Sequence, residues 1–261
     1  MAEPDQQGAV REVIDPQAPV RRSPTPDAPL DTEALKGERV IVREMTGEGW
    51  CRGALVADGY AGWLPTNALA APGPDLTHKV VVPRTLVFPG PNIKLAPIEA
   101  LSLESRLAVA RIEGPFAVTH TGGYVPARHL APLDVMAVDP VAVAELLRGV
   151  PYLWGGKTSL GVDCSGLVQI ALAACGIKSP RDSVDQERTL GTPVAPNPSD
   201  LRRGDLLFWK GHVALVRDAE TLIHANAFHM AVAIEPIAEA LARIAAGGST
   251  LTSVRRIASK S

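Results

Sequence analysis

The segment 151–165, with the sequence PYLWGGKTSLGVDCS, constrains the fold and chemistry of this chain more than any other stretch. It places Cys164 at the start of an apolar run, and the periodicity of that run predicts a helix over 164–175. Two histidines, His212 and His224, follow on separate apolar stretches that are typical of strands. A thiol at a helix N-terminus and two histidines on strands are the residues that a cysteine nucleophile, its base and an orienting group require.

The position of Cys164 predicts a reactive thiol, because a helix N-terminus and a neighbouring imidazolium both lower a thiol pKa, in known cases to about 3.5–7.5. We expect His212 to act as the base. We expect His224 to bond the other ring nitrogen of His212 and so fix its tautomer. Two alternatives stay open at this point: an inert core cysteine, and a structural zinc held by the three residues.

Composition excludes several classes of function. The 261 residues are 46% hydrophobic, enough to bury a core, and a formal net charge of −2 gives no reason to expect nucleic-acid binding. The three cysteines show no disulfide framework, and Cys51 and Cys175 are interpreted as core residues. Neither a signal peptide nor a membrane-spanning run is evident, so we expect a cytoplasmic protein without a membrane partner, and we predict no cofactor and no bound metal.

Four regions are predicted along the chain. Residues 1–31 are rich in proline, mixed in charge and free of aromatic residues, so we expect a mostly extended or disordered tail. Short strand-like runs separated by Gly and Asp-Gly turns predict a small β-barrel over 32–72. A more divergent copy is predicted over 77–133, because Gly123-Tyr124-Val125-Pro126 echoes Gly62-Trp63-Leu64-Pro65.

In the fourth region, 138–258, the sequence pattern changes from short strands alone to helices and strands. Asp139 and Pro140 predict the start of a helix, the helix at Cys164 follows, and several strand-like runs come after it. Helices followed by an antiparallel sheet indicate an α+β arrangement, with Cys164 where the main helix meets the sheet.

These motifs resemble a known family. The match covers 139–258 and rests on the motif around Cys164 together with Gly211–Val216 and His224-Ala225. In this region the chain is similar to the NlpC/P60 cysteine peptidases of bacterial cell-wall metabolism. The resemblance implies an α+β fold: a papain-like NlpC/P60 catalytic domain preceded by two bacterial SH3 (SH3b) barrels. Gly59-Tyr60-Ala61-Gly62-Trp63 carries the SH3b resemblance of the first barrel.

The resemblance also implies roles for single residues. Tyr152 is similar to the family's tyrosine near the oxyanion site. Asp163, Ser165, Asp182 and Ser183 match positions that line the pocket for the substrate's N-terminal L-alanine, and in relatives the first barrel closes that pocket. Tyr60 and Glu38 match its residues there. Capping of the following helix is the alternative interpretation of Asp182-Ser183, and Tyr60, like Trp50 and Trp63, is also a candidate for the barrel core.

The arrangement resembles the γ-D-glutamyl-L-diamino acid endopeptidases that recycle murein peptides, since Arg181-Asp182-Ser183-Val184-Asp185-Gln186 matches their R-D-S-x-x-Q pattern. The implied partner is a small murein peptide, L-Ala-γ-D-Glu-diamino acid, with diaminopimelate or lysine as the diamino acid. An N-acetylmuramoyl-L-alanine amidase, an acyltransferase and a non-catalytic peptidoglycan-binding protein are the alternatives. The sequence does not fix an oligomeric state.

Overall fold

A computed structural model describes residues 8–195, 197 and 200–258. The chain divides into two compact units, Met1–Val135 and Met136–Ser261. Within the described residues, every helix is too short or too polar to cross a lipid bilayer.

The first unit begins with an antiparallel sheet of seven strands in the order β3-β2-β6-β5-β4-β1-β7. A 3₁₀ helix, Thr66–Ala68, joins β6 to β7. Its core contains buried Val, Leu, Ala and Cys side chains, Cys51 among them. The strands are β1 Ala9–Val13, β2 Gln17–Arg21, β3 Leu30–Leu35, β4 Arg39–Met45, β5 Trp50–Leu55, β6 Ala61–Pro65 and β7 Leu69–Ala70.

The expectation of a disordered tail over 1–31 is wrong for the described residues 8–31. Strand β1 pairs with β4 and β2 pairs with β3, and Val13 and Val20 are fully buried in the core of the barrel. Proline content suggested disorder, yet Pro19 sits within β2, so proline here occupies sheet positions rather than a linker. The part of this expectation that concerns residues 1–7 lies outside the described residues.

The second half of the first unit ends with the same order of elements as its first half. Strand β14 is followed by a 3₁₀ helix, Ala127–His129, and by β15, the same order as β6, 3₁₀ helix and β7. Pro126 and Pro65 precede the two 3₁₀ helices, so the proline that the sequence repeat shares has the same place in both copies. The strands are β8 His78–Val80, β9 Arg84–Val87, β10 Glu99–Ser102, β11 Arg106–Leu107, β12 Val109–Glu113, β13 Phe116–Thr119, β14 Tyr124–Pro126 and β15 Leu130–Pro132.

The second unit places three helices before an antiparallel sheet of six strands, in the order β18-β23-β19-β20-β21-β22, and a fourth helix between the last two of these strands in the chain. The α+β class and the papain-like order of elements are therefore confirmed. The helices are α1 Pro140–Leu146, α2 Cys164–Ala174, α3 Ser183–Thr189 and α4 Ile237–Ala246. The strands are β16 Lys157–Thr158, β17 Gly161–Val162, β18 Thr192–Val194, β19 Leu206–Trp209, β20 His212–Val216, β21 Thr221–Asn226, β22 Ala231–Pro236 and β23 Leu251–Arg256.

Alternation along the central strands gives the sheet two apolar faces. Leu207, Ala214 and Leu222 pack with Ile237 and Ala240 of α4 in one core cluster. Helix α2, buried on nearly every side, contacts β20 and β21. Because α2 is enclosed along its length, its N-terminal residue Cys164 is held in a fixed position against the sheet.

The ordered N-terminal strand gives a stability prediction. Val13→Asp places a carboxylate in the barrel core without a partner, and we expect the free energy of unfolding to fall by about 3 kcal/mol or more. Val10→Asp is the matched control, because the same change is made in the same strand at a side chain that is 44% exposed. Calorimetric unfolding of both variants tests this. Equal melting temperatures would contradict an ordered β1.

Candidate active site

Asp163 begins helix α2 and fixes the position of Cys164. As the N-cap residue, Asp163 accepts a hydrogen bond from the Gly166 N–H at 2.7 Å, and it accepts another from the Gly155 N–H at 2.8 Å. Position 166 accommodates only glycine, because a Cβ there would collide with the carbonyl oxygen of Gly156. The loop at 155–156 and the first turn of α2 therefore lie in direct contact.

Arg181 holds the same carboxylate from the other side. Its guanidinium donates to both oxygens of Asp163, at 2.9 and 2.7 Å, and to the Ser165 hydroxyl at 2.9 Å. The arginine side chain is 1% exposed, so this is a buried, bidentate ion pair. Both oxygens of Asp163 thus already accept donors from the protein, and its proposed contact with substrate stays a prediction.

Asp182 and Ser183 begin helix α3, next to the first turn of α2. Gln186 donates to the Ser165 carbonyl at 2.9 Å, so Arg181 and Gln186 tie both ends of this segment to the turn that carries Cys164. Asp182 occupies the N-cap position of α3 but makes no side-chain capping bond, and its side chain is exposed. The capping interpretation is therefore right in position and wrong in its hydrogen bond, and the predicted contact of Asp182 with substrate stays a prediction.

The thiol of Cys164 faces the start of strand β20. Its sulfur lies 4.0 Å from the carbonyl oxygen of Gly211, and the backbone N–H of Val213 also bonds to it. Gly211 adopts a φ of +75°, which allows the tight turn into β20. These two backbone groups come directly before and after His212, so the thiol lies beside the backbone of the first histidine. The catalytic roles of Cys164 and His212 stay predictions.

The two histidines are linked because of the register of the sheet. Leu215 pairs with Ile223 and Val216 with Leu222, which sets His224 opposite Ala214 and diagonal to His212. Nε2 of His212 lies 2.9 Å from Nδ1 of His224. This leaves Nδ1 of His212 as the ring nitrogen that the bond to His224 does not use.

The diagonal continues onto the next strand. His224 pairs with Ala233, so Glu235 is diagonal to His224, and the His224 Nε2 lies 3.1 Å from a Glu235 oxygen. Arg243 of α4 in turn donates to both oxygens of Glu235, at 2.9 and 2.6 Å. His212, His224, Glu235 and Arg243 therefore form one continuous hydrogen-bonded row.

Burial makes the thiol and the first imidazole neutral. It raises the pKa of Cys164 to about 11, with a further contribution from the Asp163 carboxylate, against the opposing bonds from Val213 and Ser165. Burial and the neighbouring His224 lower the pKa of His212 to about 3. The expectation of a lowered thiol pKa is wrong, because desolvation outweighs the helix N-terminus and because the adjacent histidine carries no positive charge.

Tyr152 lies close enough to Cys164 to interact with its charge. Burial, and then the charges of Cys164 and Asp163, raise the pKa of Tyr152 to about 12. Its backbone is held by a bridge to Val162 and by a bond to the Met230 carbonyl. The phenol therefore keeps its proton at neutral pH and is able to donate a hydrogen bond.

Tyr60 and Glu38 belong to the first unit, and their predicted part in substrate binding stays a prediction. Tyr60 is half-buried and packs against the barrel core, while its N–H donates to Asp58. A Glu38 oxygen accepts the Leu35 N–H at 2.7 Å. Cys51 and Cys175 are buried, which confirms their interpretation as core residues.

Four residues of the site were missed from the sequence. The R-D-S-x-x-Q pattern contains Arg181 and Gln186 but indicates no role for them, and the sequence places Glu235 and Arg243 only in a strand and a helix. An acidic residue in an otherwise apolar strand next to the histidine strand was the available signal for Glu235, since buried carboxylates need partners.

Models of known families match a part of each unit. The model of the NlpC/P60 family matches residues 149–244. The model of the bacterial dipeptidyl-peptidase Sh3 domain matches residues 20–69, which run from the last two residues of β2 to the first residue of β7.

Two relatives come from bacilli. The chain is 30% identical over 220 residues to the γ-D-glutamyl-L-lysine dipeptidyl-peptidase of Bacillus subtilis (strain 168), covering 76% of this chain and 73% of that one. It is 27% identical to the protein of the same name from Bacillus cereus, covering 80% and 71%.

A crystal structure of an NlpC/P60 family protein from Bacillus cereus has the same fold, with a TM-score of 0.80 at 21% identity, over 95% of this chain and 99% of that one. The Bacillus subtilis relative, at 30% identity over 76% of this chain, shows together with the family model that the chain belongs to the NlpC/P60 family of cysteine peptidases.

Proposed function

We propose that this protein hydrolyses the γ-D-glutamyl–L-diamino acid bond of small murein peptides that carry a free N-terminal L-alanine. One observation carries the proposal: Cys164 at the start of α2 faces the beginning of β20, where His212 is bonded to His224. The names of the two bacillus relatives support this choice of scissile bond, with lysine as the diamino acid. Diaminopimelate is the second diamino acid that we include.

The neutral resting pair defines the first chemical step. His212 takes the thiol proton on Nδ1 as the sulfur attacks the γ-carbonyl carbon of D-glutamate, so the thiolate forms during attack rather than before it. Collapse of the tetrahedral intermediate breaks the C–N bond, and His212 gives the proton to the leaving amine. Water, deprotonated by His212, then attacks the thioester and releases L-Ala-γ-D-Glu and the free thiol.

The oxyanion of the tetrahedral intermediate needs donors on the side opposite His212. The first backbone N–H groups of a helix have no partner within that helix, and Cys164 is the first residue of α2. We assign its N–H and the Tyr152 hydroxyl to the oxyanion, because the high pKa of Tyr152 keeps that hydroxyl protonated.

The substrate's ammonium group needs an acidic partner. Asp182 is exposed at the start of α3, and its neighbours Arg181 and Gln186 bond to the turn of Cys164. We assign Asp182, with Ser183, to the ammonium group of L-alanine. Asp163 is less suited to this role, because its charge is already compensated by Arg181.

A requirement for this amine bears on the biological setting. L-Alanine of murein has a free amine only after its amide bond to muramic acid has been cut. The substrate is therefore a released peptide rather than the polymer. We propose on this ground that the protein recycles murein peptides and that it does so in the cytoplasm.

The mass of the products separates this activity from its rivals. The proposed reaction converts L-Ala-γ-D-Glu-L-lysine, or the diaminopimelate peptide, into L-Ala-γ-D-Glu and the free diamino acid. An amidase would cut muramoyl-L-alanine instead, and an acyltransferase would leave the acyl group on a second amine. Mass spectrometry of each reaction distinguishes these outcomes.

We predict that Cys164→Ala abolishes cleavage of L-Ala-γ-D-Glu-diaminopimelate, with a loss of about 10⁴-fold or more in kcat, because no nucleophile remains. The control is Cys175→Ala, the same change at the other end of helix α2, which should keep the wild-type rate. Both variants should show the wild-type circular dichroism spectrum. Full activity in Cys164→Ala would end the proposal.

The neutral thiol predicts an unusual alkylation profile. Since burial raises the pKa of Cys164 to about 11, the thiolate fraction should rise about tenfold for each pH unit between 7 and 10. Iodoacetamide modification of Cys164, followed by peptide mass mapping, should rise with the same slope in wild type and in His212→Gln. A plateau below pH 8 that disappears in His212→Gln would instead reveal a thiolate–imidazolium pair.

Removal of the substrate's amine tests the role of Asp182. We expect N-acetylation of the alanine to lower kcat/KM of wild type about tenfold or more, the equivalent of about 1.4 kcal/mol for an unpaired polar group. Asp182→Asn should lose most of this discrimination. Asp185→Asn, an acidic residue of the same helix that pairs with Arg188, should retain it. Equal discrimination by both variants would assign the amine to another group.

A further inference from the structure

His224 has no ring nitrogen left for any further partner. Its Nδ1 lies 2.9 Å from Nε2 of His212, and its Nε2 lies 3.1 Å from a carboxylate oxygen of Glu235. The His224 side chain is fully buried. A neutral imidazole has one N–H and one lone pair, so the group on one side of His224 decides what its other side can do.

Glu235 is an acceptor in this row. Two donors of the Arg243 guanidinium reach its two oxygens, and Arg243 itself is held over the Phe228 ring at 4.4 Å from the centroid. Burial alone would raise the pKa of Glu235, but the hydrogen bonds and charge of Arg243, together with His224, bring it below its usual value. The carboxylate is therefore ionised at neutral pH and has no proton to donate.

The protons of the row follow from this single fact. The His224 Nε2 must carry the proton, which it donates to Glu235, and its Nδ1 is left as a lone pair. That lone pair must accept a proton from the His212 Nε2. The His212 Nδ1 then has no proton, and its lone pair is the acceptor that a neutral thiol needs.

We propose that Glu235, held by Arg243, is a positioning residue that sets the tautomers of His224 and His212 so that Nδ1 of His212 acts as the base for Cys164. The inference rests on the proposed function, because it assigns the source of the base in that reaction. It adds a fourth and a fifth residue to the three that the sequence predicts.

A metal site is the competing interpretation of the same cluster. His224, His229 and Glu235 place possible ligand atoms within 4.8 Å of one another. A cation there would have to displace the guanidinium that engages both oxygens of Glu235. It would also need a lone pair on the His224 Nε2, which carries a proton in the row described above. The contacts therefore favour proton ordering over metal binding.

Nitrogen NMR of wild-type protein labelled with ¹⁵N-histidine tests the proposal without any assay of activity. Protonated and unprotonated ring nitrogens resonate in separate ranges, and single histidine substitutions assign the signals. We expect a proton on Nε2 and none on Nδ1 in both His212 and His224. A proton on Nδ1 of either ring would overturn the proposal.

Glu235→Gln should move the proton of each of the two imidazole rings to its other nitrogen. Arg243 would engage the amide oxygen, and the amide N–H₂ would then face the His224 Nε2 and force its proton to Nδ1. His212 would in turn carry its proton on Nδ1, facing the thiol. We expect kcat to fall about 100-fold or more, as for other bases held in the wrong tautomer, with KM changed by less than about threefold.

Two further variants complete the experiment. Glu235→Asp keeps a carboxylate and should recover a large part of kcat. Glu239→Gln, the same chemical change at an exposed position of α4, should match wild type. Unchanged kcat in Glu235→Gln, or activity lost to EDTA and restored by Zn²⁺, would contradict proton ordering. If NMR finds the expected tautomers but the protein cleaves no γ-D-glutamyl bond, the positioning role of Glu235 stands and the proposed substrate is refuted.

Discussion

The carboxylate of Asp163 is the group on which the position of the nucleophile depends. It caps α2, holds the loop at Gly155 and receives the buried guanidinium of Arg181. Removal of one partner from such a pair typically costs about 3–5 kcal/mol, because the other charge is left buried and alone. This one carboxylate therefore connects the start of α2, the 155–156 loop and the segment that leads into α3.

The sheet supplies the second half of the site by geometry alone. Diagonal neighbours across antiparallel strands are close enough for long side chains to meet. One polar residue on each of β20, β21 and β22 therefore forms a row, provided that each lies two positions further along the register. A shift of register by one residue would turn these side chains to the opposite face, so the row depends on the apolar pairing of the same strands.

Much of this arrangement could be predicted from the sequence, and the exceptions have physical causes. The helix at Cys164 and the strands at His212 and His224 carry strong local signals, because capping and alternation act over a few residues. The strands β1 and β2 were missed because their burial depends on pairing with distant β4 and β3. The pKa of Cys164 was misjudged for a similar reason: the depth of burial is a property of the folded unit and is not encoded locally.

The two buried carboxylates explain how a neutral thiol and a neutral imidazole can still be poised for reaction. Asp163 and Glu235 are both buried and both compensated by an arginine, so neither Arg181 nor Arg243 leaves a net positive charge free to stabilise a thiolate. An ion pair between Cys164 and His212 thus lacks support in the resting site. What the arginines do provide is direction, because a bidentate guanidinium holds each carboxylate in one orientation. The site is organised by oriented lone pairs, and charge develops only when a carbonyl group is present to receive the sulfur.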